Sequence, residues 1–186
     1  MNIEVLKKNG QLRVYKRNEV ICREDETGQY VYILLKGKAD IYKRVGKHQA
    51  DKHIANILTG TVFGESSLIE GKKRNASVVA GSDSTVVLEF DNRKYRLLLR
   101  EEPDLAFMLL KTLMFRINQA MDQLLSVDPA YIFSCRTNDI YMMVSSLDNE
   151  TFKDIVKGNY EYPLTAIKEF SEMLDSLNQR MLSKGS

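Results

Sequence analysis

The sequence predicts an α+β protein: an antiparallel β sandwich or jelly roll, followed by one long helix and a helical tail. Three observations carry this prediction. Up to about residue 90 the chain runs in short segments rich in Val, Ile, Tyr and Thr, broken by turn residues, which is the pattern of an all-β layered structure. From Asp104 to about Ser126 the chain is dense in apolar residues and free of Gly and Pro behind Pro103, a residue tolerated in the first turn of a helix. Beyond Asp128-Pro129 the apolar residues return at helical spacing. At 186 residues, 44% apolar and 28% charged, the chain can build one globular domain plus an appendage without covalent staples.

The expected strands are 11–15, 20–23, 30–36, 38–44, 52–58, 77–80 and 85–90. Gly37 separates the third from the fourth as a hairpin turn. Tyr30 and Tyr32 alternate along the third strand, and we read them as one face of a half-buried strand in preference to a stacking platform for single-stranded nucleic acid. The helix 104–126 carries apolar residues over far more than the single stripe that packing on one layer requires. Either the C-terminal tail or a second copy of the chain could cover the surplus. Proline then breaks the helix at Asp128-Pro129. A short apolar segment follows at 140–147, and after it a helix over 150–157 with Asn149 as cap and Gly158 as stop. Tyr162-Pro163 opens an amphipathic helix to about residue 182, with Leu164, Ile167, Phe170, Leu174, Leu177 and Met181 on its apolar stripe.

Composition excludes several classes. Cys22 and Cys135 are the only thiols, too few for a disulfide framework, and they suit a reducing cytoplasm. No apolar run is long enough for a signal sequence or a membrane span, so a cytoplasmic protein is expected. His48 and His53 are the only histidines, and without a His-x-His pair or a third histidine a metal centre is not expected. Nor does a Ser/His/Asp or Cys/His arrangement suggest catalytic residues. The net charge of +2 conceals an asymmetry: residues 127–186 carry six Lys/Arg and nine Asp/Glu, net −3, leaving +5 on residues 1–126. A tail of that sign, without an Arg-rich recognition segment, argues against duplex DNA as partner.

The chemistry concentrates in Phe63-Gly64-Glu65-Ser66-Ser67-Leu68 and the downstream Arg74-Asn75-Ala76-Ser77-Val78. The first part reads as the start of a short helix, whose leading amides and partial positive charge attract anions. Arg74, folded back over the amides of Ser66 and Ser67, would add a fork of donors matched to phosphate oxygens, and Glu65 could accept from a hydroxyl. The alternative is a plain surface ion pair between Glu65 and Arg74, of little energetic consequence.

This stretch resembles the phosphate-binding cassette of the cyclic nucleotide-binding domain family, which includes the bacterial catabolite activator protein and the regulatory subunits of cAMP-dependent kinase. The resemblance extends over about residues 12–126, with Tyr32-Ile33-Leu34-Leu35-Lys36-Gly37 and Gly60 agreeing. It implies a jelly-roll sensor domain over 1–102, a hinge and dimerisation helix over 103–126, and a helical appendage over 127–186. It further implies that Arg74 neutralises a cyclic phosphate and Glu65 binds the ribose 2′-hydroxyl. Phe63, Gly64, Ser66, Ser67, Asn75 and Ala76 complete the shell, largely through backbone groups. The homodimer through helix 104–126 follows from the same resemblance.

The chain departs from the family pattern at two places. Glu24 occupies a position where the family usually has a turn glycine. On the long helix, Ala120 and Met121 stand where the catabolite activator protein has hydroxyl residues facing the base, with Arg116 and Asn118 as further candidates for base contact. Asn75 is neither the Thr often linked with cGMP nor the Ser or Ala linked with cAMP, and cAMP is expected ahead of cGMP. The resulting expectation is a non-enzymatic cyclic nucleotide receptor that moves its hinge helix and tail and reports to a protein partner. The alternatives are a cyclic nucleotide-responsive transcription regulator with a degenerate DNA-binding tail, or a ligand-free interaction module on the same fold.

Overall fold

The computed structural model describes residues 3–44, 51–68, 72–126, 128–136 and 138–184. It divides into two compact units, Met1–Arg96 and Leu97–Ser186.

In the first unit a short helix α1 (Ile3–Asn9) precedes eight strands: β1 (Gln11–Tyr15), β2 (Val20–Cys22), β3 (Tyr30–Lys36), β4 (Ala39–Lys43), β5 (Lys52–Ile57), β6 (Val62–Phe63), β7 (Ser77–Ala80) and β8 (Thr85–Asp91). They form two antiparallel four-stranded sheets, ordered β1-β8-β3-β6 and β2-β7-β4-β5, so the expected α+β architecture with a jelly-roll-like sandwich is present. One apolar cluster joins the sheets, with Tyr32, Leu34, Phe63 and Val87 from the first and Ile21, Cys22, Ala39, Ile57, Val78 and Ala80 from the second. Burying such side chains removes apolar surface from water at about 25 cal/mol per Å², which is the main force holding the layers together.

β3 differs from the half-buried strand expected. Val31, Tyr32, Ile33 and Leu34 are all buried, so β3 is covered on both of its faces, and a strand buried on both sides reads as a continuous apolar run. Only its two end residues, Tyr30 and Lys36, are exposed.

The turn at Glu24 shows how the missing glycine is tolerated. The left-handed residue there is Asp25, at φ 66°, and Asp is among the few non-glycine residues that adopt this conformation at low cost. Glu24 keeps an ordinary backbone, and its N–H donates to Ser77 Oγ at 3.0 Å.

Helix α2 (Asn92–Glu101) begins in the first unit and continues across the division. The second unit adds α3 (Pro103–Leu124), α4 (Pro129–Arg136), α5 (Asp139–Ser146), α6 (Asn149–Gly158) and α7 (Tyr162–Lys184). Within it α3 packs chiefly along α7 and also meets α4, α5 and α6. The tail thus covers much of the apolar surface of α3, while Phe115 stays 62% exposed. Lys111 on α3 donates to the carbonyls of Val144 and Leu147 at 3.0 and 3.3 Å, serving the C-terminal end of α5, where a cation is favoured. Asp148, rather than the expected Asn149, caps α6 by accepting from the Thr151 N–H at 2.8 Å. Asn149 instead donates to Asp104 Oδ1 at 2.7 Å, tying α6 to the start of α3. Among the described residues no helix is long and apolar enough to cross a membrane, and no group of three or more His, Cys, Asp or Glu could hold a metal ion. His48 lies outside the described residues.

Candidate functional site

β6 ends at Phe63 and the chain turns at Gly64, with φ +74°, into a single 3-10 turn over Glu65–Leu68. The positive φ favours glycine, and space demands it as well: a Cβ at Gly64 would lie 2.6 Å from Arg74 Nη1 and 3.1 Å from Tyr32 Cδ2. The amides of Glu65 and Ser66 stand at the N-terminal end of this turn. Residues 69–71 lie outside the described residues, and the chain resumes at Lys72 and leads through Arg74, Asn75 and Ala76 into β7.

Arg74 is held from three sides. Its Nη1 donates to the Gly64 carbonyl at 2.8 Å and its Nη2 to the Tyr30 carbonyl at 2.6 Å. Its guanidinium carbon stands 5.5 Å from the centre of the Tyr32 ring, within range of cation–π attraction. Tyr32 is itself stacked on Phe63, with centroids 5.1 Å apart. The backbone of Arg74 is fixed too: its N–H donates to the Glu26 carbonyl at 2.9 Å, and its carbonyl accepts from the Asp25 N–H at 3.0 Å. Thr27 and Lys73 form a β-bridge beside this pair.

Arg74 is 5% exposed, Glu65 6% and Ser66 6%. These values remove the surface ion pair as an account of Glu65 and Arg74. Burying a guanidinium is costly unless it is hydrogen-bonded, and here backbone carbonyls supply the partners. Buried ionisable groups beside a glycine turn mark a candidate functional site. Burial also raises the Tyr32 phenol, against the opposing pull of Arg74, and raises the Cys22 thiol for the same first reason, again opposed by Arg74. Both groups therefore stay neutral at physiological pH, and the Tyr32 ring lies beside the guanidinium without a competing charge.

The structure brings Phe63, Gly64, Glu65 and Ser66 into one loop and joins that loop to Arg74 through the Gly64 carbonyl, with Asn75 and Ala76 following directly; of Ser67 only the backbone in the 3-10 turn is described. Arg116, Asn118, Ala120 and Met121 lie on α3 of the second unit. There Ala120 and Met121 are buried, and Asn118 Oδ1 accepts from the Tyr141 hydroxyl at 2.6 Å. Three contributors to the site carry no sequence signal of their own: the Tyr30 carbonyl, the Glu26 carbonyl and Lys43, whose Nζ donates to the Asn75 carbonyl. Backbone carbonyls serve regardless of side chain, and Lys43 reaches the loop only because β4 pairs with β7.

A buried arginine held by a glycine-turned loop on a jelly-roll-like sandwich has counterparts among known proteins. Residues 12–102 match the family model of the cyclic nucleotide-binding domain. The chain is 32% identical over 76 residues to a cGMP-dependent protein kinase of Plasmodium berghei, aligning 41% of itself with 8% of the kinase. It is 30% identical over 110 residues to the cyclic AMP receptor protein of Thermus thermophilus, aligning 59% of itself with 50% of that protein. The chain therefore spans half or less of the length of these relatives. Among solved structures, a transcriptional regulator from Thermotoga maritima shares the fold at TM-score 0.60 and 20% identity, over 68% of this chain and 98% of the regulator. The catabolite activator protein of Thermus thermophilus does so at TM-score 0.52 and 19% identity, over 94% of each chain.

Proposed function

We propose that the chain is a cyclic nucleotide receptor without catalysis of its own, taking cAMP ahead of cGMP and passing the binding signal through α3 and the C-terminal helices to a protein partner. The observation that carries this reading is the burial of Arg74 and Glu65 at the two ends of one glycine-turned loop, inside the segment that matches the family. In this role Arg74 receives the cyclic phosphate together with the leading amides of the turn Glu65–Leu68, and Glu65 accepts from the ribose 2′-hydroxyl. Gly64, Ser66, Ser67, Asn75 and Ala76 contribute backbone groups, and Phe63 supports the Tyr32 ring beneath the guanidinium. Relatives named for either nucleotide are present, a cGMP-dependent kinase and a cyclic AMP receptor, and the preference for cAMP rests on the absence of Thr at position 75.

Base contacts are assigned to α3, through Arg116, Asn118, Ala120 or Met121. Because Ala120 and Met121 are buried, offering them to a purine requires α3 to repack, which is the rearrangement the receptor reading calls for. Ligand can drive it only by binding one packing of α3 better than the other. A homodimer through α3 is part of the proposal, with the exposed Phe115 as its contact.

Calorimetric titration of the chain with cAMP and cGMP tests the reading. Binding is expected for at least one, and Arg74→Ala should weaken it by roughly 100-fold, the cost of losing charge-assisted bonds to a desolvated phosphate. A folded chain that gives no binding heat with either nucleotide at millimolar concentration refutes it.

A further inference from the structure

Glu24 and Lys43 form a strut beneath the loop that no motif in the cassette contains. Glu24 Oε1 lies 3.3 Å from Lys43 Nζ, with the two side chains only 12% and 19% exposed. The other oxygen of Glu24, Oε2, accepts from the Arg44 N–H at 2.8 Å, and the Glu24 N–H donates to Ser77 Oγ at 3.0 Å. Lys43 Nζ completes the chain by donating to the Asn75 carbonyl. Arg44 anchors the same turn through Asp25 at 3.1 Å, so the last residue of β4 and the residue after it grip two successive residues of the β2–β3 turn.

An exposed ion pair of this kind contributes little. Here each partner is largely desolvated and each makes a second hydrogen bond to backbone, so the geometry is fixed. The consequence falls on one peptide unit. A trans peptide is planar, and its C=O and N–H point in opposite directions. With the Asn75 carbonyl drawn toward Lys43, the N–H of Ala76 faces away from Lys43.

We propose that Lys43, held in place by Glu24, is a positioning residue for ligand recognition: it sets the Asn75–Ala76 peptide so that the Ala76 N–H is presented to the anion received by Arg74. The proposal rests on the receptor reading above. It also gives Glu24 a role, since the side chain that replaces a turn glycine supplies the carboxylate that orients Lys43. Lys43 itself does not touch the ligand.

The test uses the full chain and calorimetric titration with cAMP, cGMP and the two phosphorothioate diastereomers of cAMP, in which sulfur replaces one or the other exocyclic oxygen. Lys43→Met should weaken cAMP and cGMP alike by about tenfold, the worth of one hydrogen bond to a charged group. Glu24→Gln should give a smaller loss of the same sign, and Lys43→Arg should restore binding to within about threefold of wild type. The discriminating readout is the thio penalty. In Lys43→Met the cost of sulfur at one of the two positions should shrink, because the amide that met that oxygen is no longer aimed, whereas a general loosening of the fold leaves both penalties unchanged. Thio penalties equal to wild type in Lys43→Met and Glu24→Gln overturn the positioning role. Should Lys43→Met not fold, the Glu24→Gln penalties decide. A wild-type chain that binds none of these nucleotides overturns the receptor reading itself, a different outcome from normal binding that the variants leave untouched.

Discussion

Gly64→Ala should damage stability and ligand recognition together, and the size of the damage follows from two contacts. The residue sits at φ +74°, where an L-residue with a Cβ loses roughly 1–2 kcal/mol. That Cβ would also stand 2.6 Å from Arg74 Nη1, so the guanidinium must move and its bond to the Gly64 carbonyl, 2.8 Å in the native chain, is strained or lost. A hydrogen bond from a charged donor is worth about 1.5–3 kcal/mol. Because Arg74 can yield partway, the combined loss should be about 2–4 kcal/mol, which for a unit of this size lowers Tm by roughly 10–25 °C. Thermal and urea denaturation followed by circular dichroism measure it, with nucleotide titration alongside. A loss under about 1 kcal/mol, with nucleotide affinity unchanged, would refute the view that the turn is closed around Arg74.

Two further outcomes concern the helical unit. Lys111→Met removes the donor to the Val144 and Leu147 carbonyls and should cost about 1–2 kcal/mol, read as faster amide hydrogen exchange in α5 than in α7; uniform exchange across both helices would count against a local role. The Asp104 carboxyl is held below the usual carboxylate range, first by the hydrogen bond from Asn149 and then by Lys153. A carboxyl whose folded pKa is lowered contributes stability that is fully present above the ordinary carboxylate range and disappears as pH falls through the folded value. Asp104→Asn should therefore lower the urea midpoint at neutral pH slightly, since the group is 41% exposed, and flatten its acid limb by the same amount. An acid limb identical to wild type would exclude Asp104 as a contributor.

The strand pattern and the short helical turn after Gly64 were legible because they depend on local chemistry: segments rich in β-branched residues, and glycine at turns. What escaped depends on distant partners or on caps with two meanings. Asp128-Pro129 was read as the end of α3, yet it also starts α4, with Pro129 in the first turn and Asp128 Oδ1 accepting from the Tyr131 N–H at 3.4 Å. Asp91 sends the same signal for α2, accepting from the Arg93 and Lys94 amides. β6 has only two residues, too few for any periodicity. β3 was expected to alternate because Tyr30 and Tyr32 do, but its neighbours on both faces decide burial. At the site, Arg74 was legible and its holders were not, since the Tyr30 carbonyl, 44 residues away, leaves no trace in side-chain identity.

One consequence of α2 bears on how the protein can be taken apart. Its hydrogen-bonded turns run from Asn92 to Glu101, across the division at Arg96 and Leu97. Expression of the sensor alone by stopping at Arg96 would leave half a helix with unpaired carbonyls and a frayed end next to Tyr95, a fully buried side chain. A fragment ending after Glu102, just ahead of Pro103, keeps that helix whole. Proteases for the same reason should find no ready cleavage point at the seam, although it is the border of two cores.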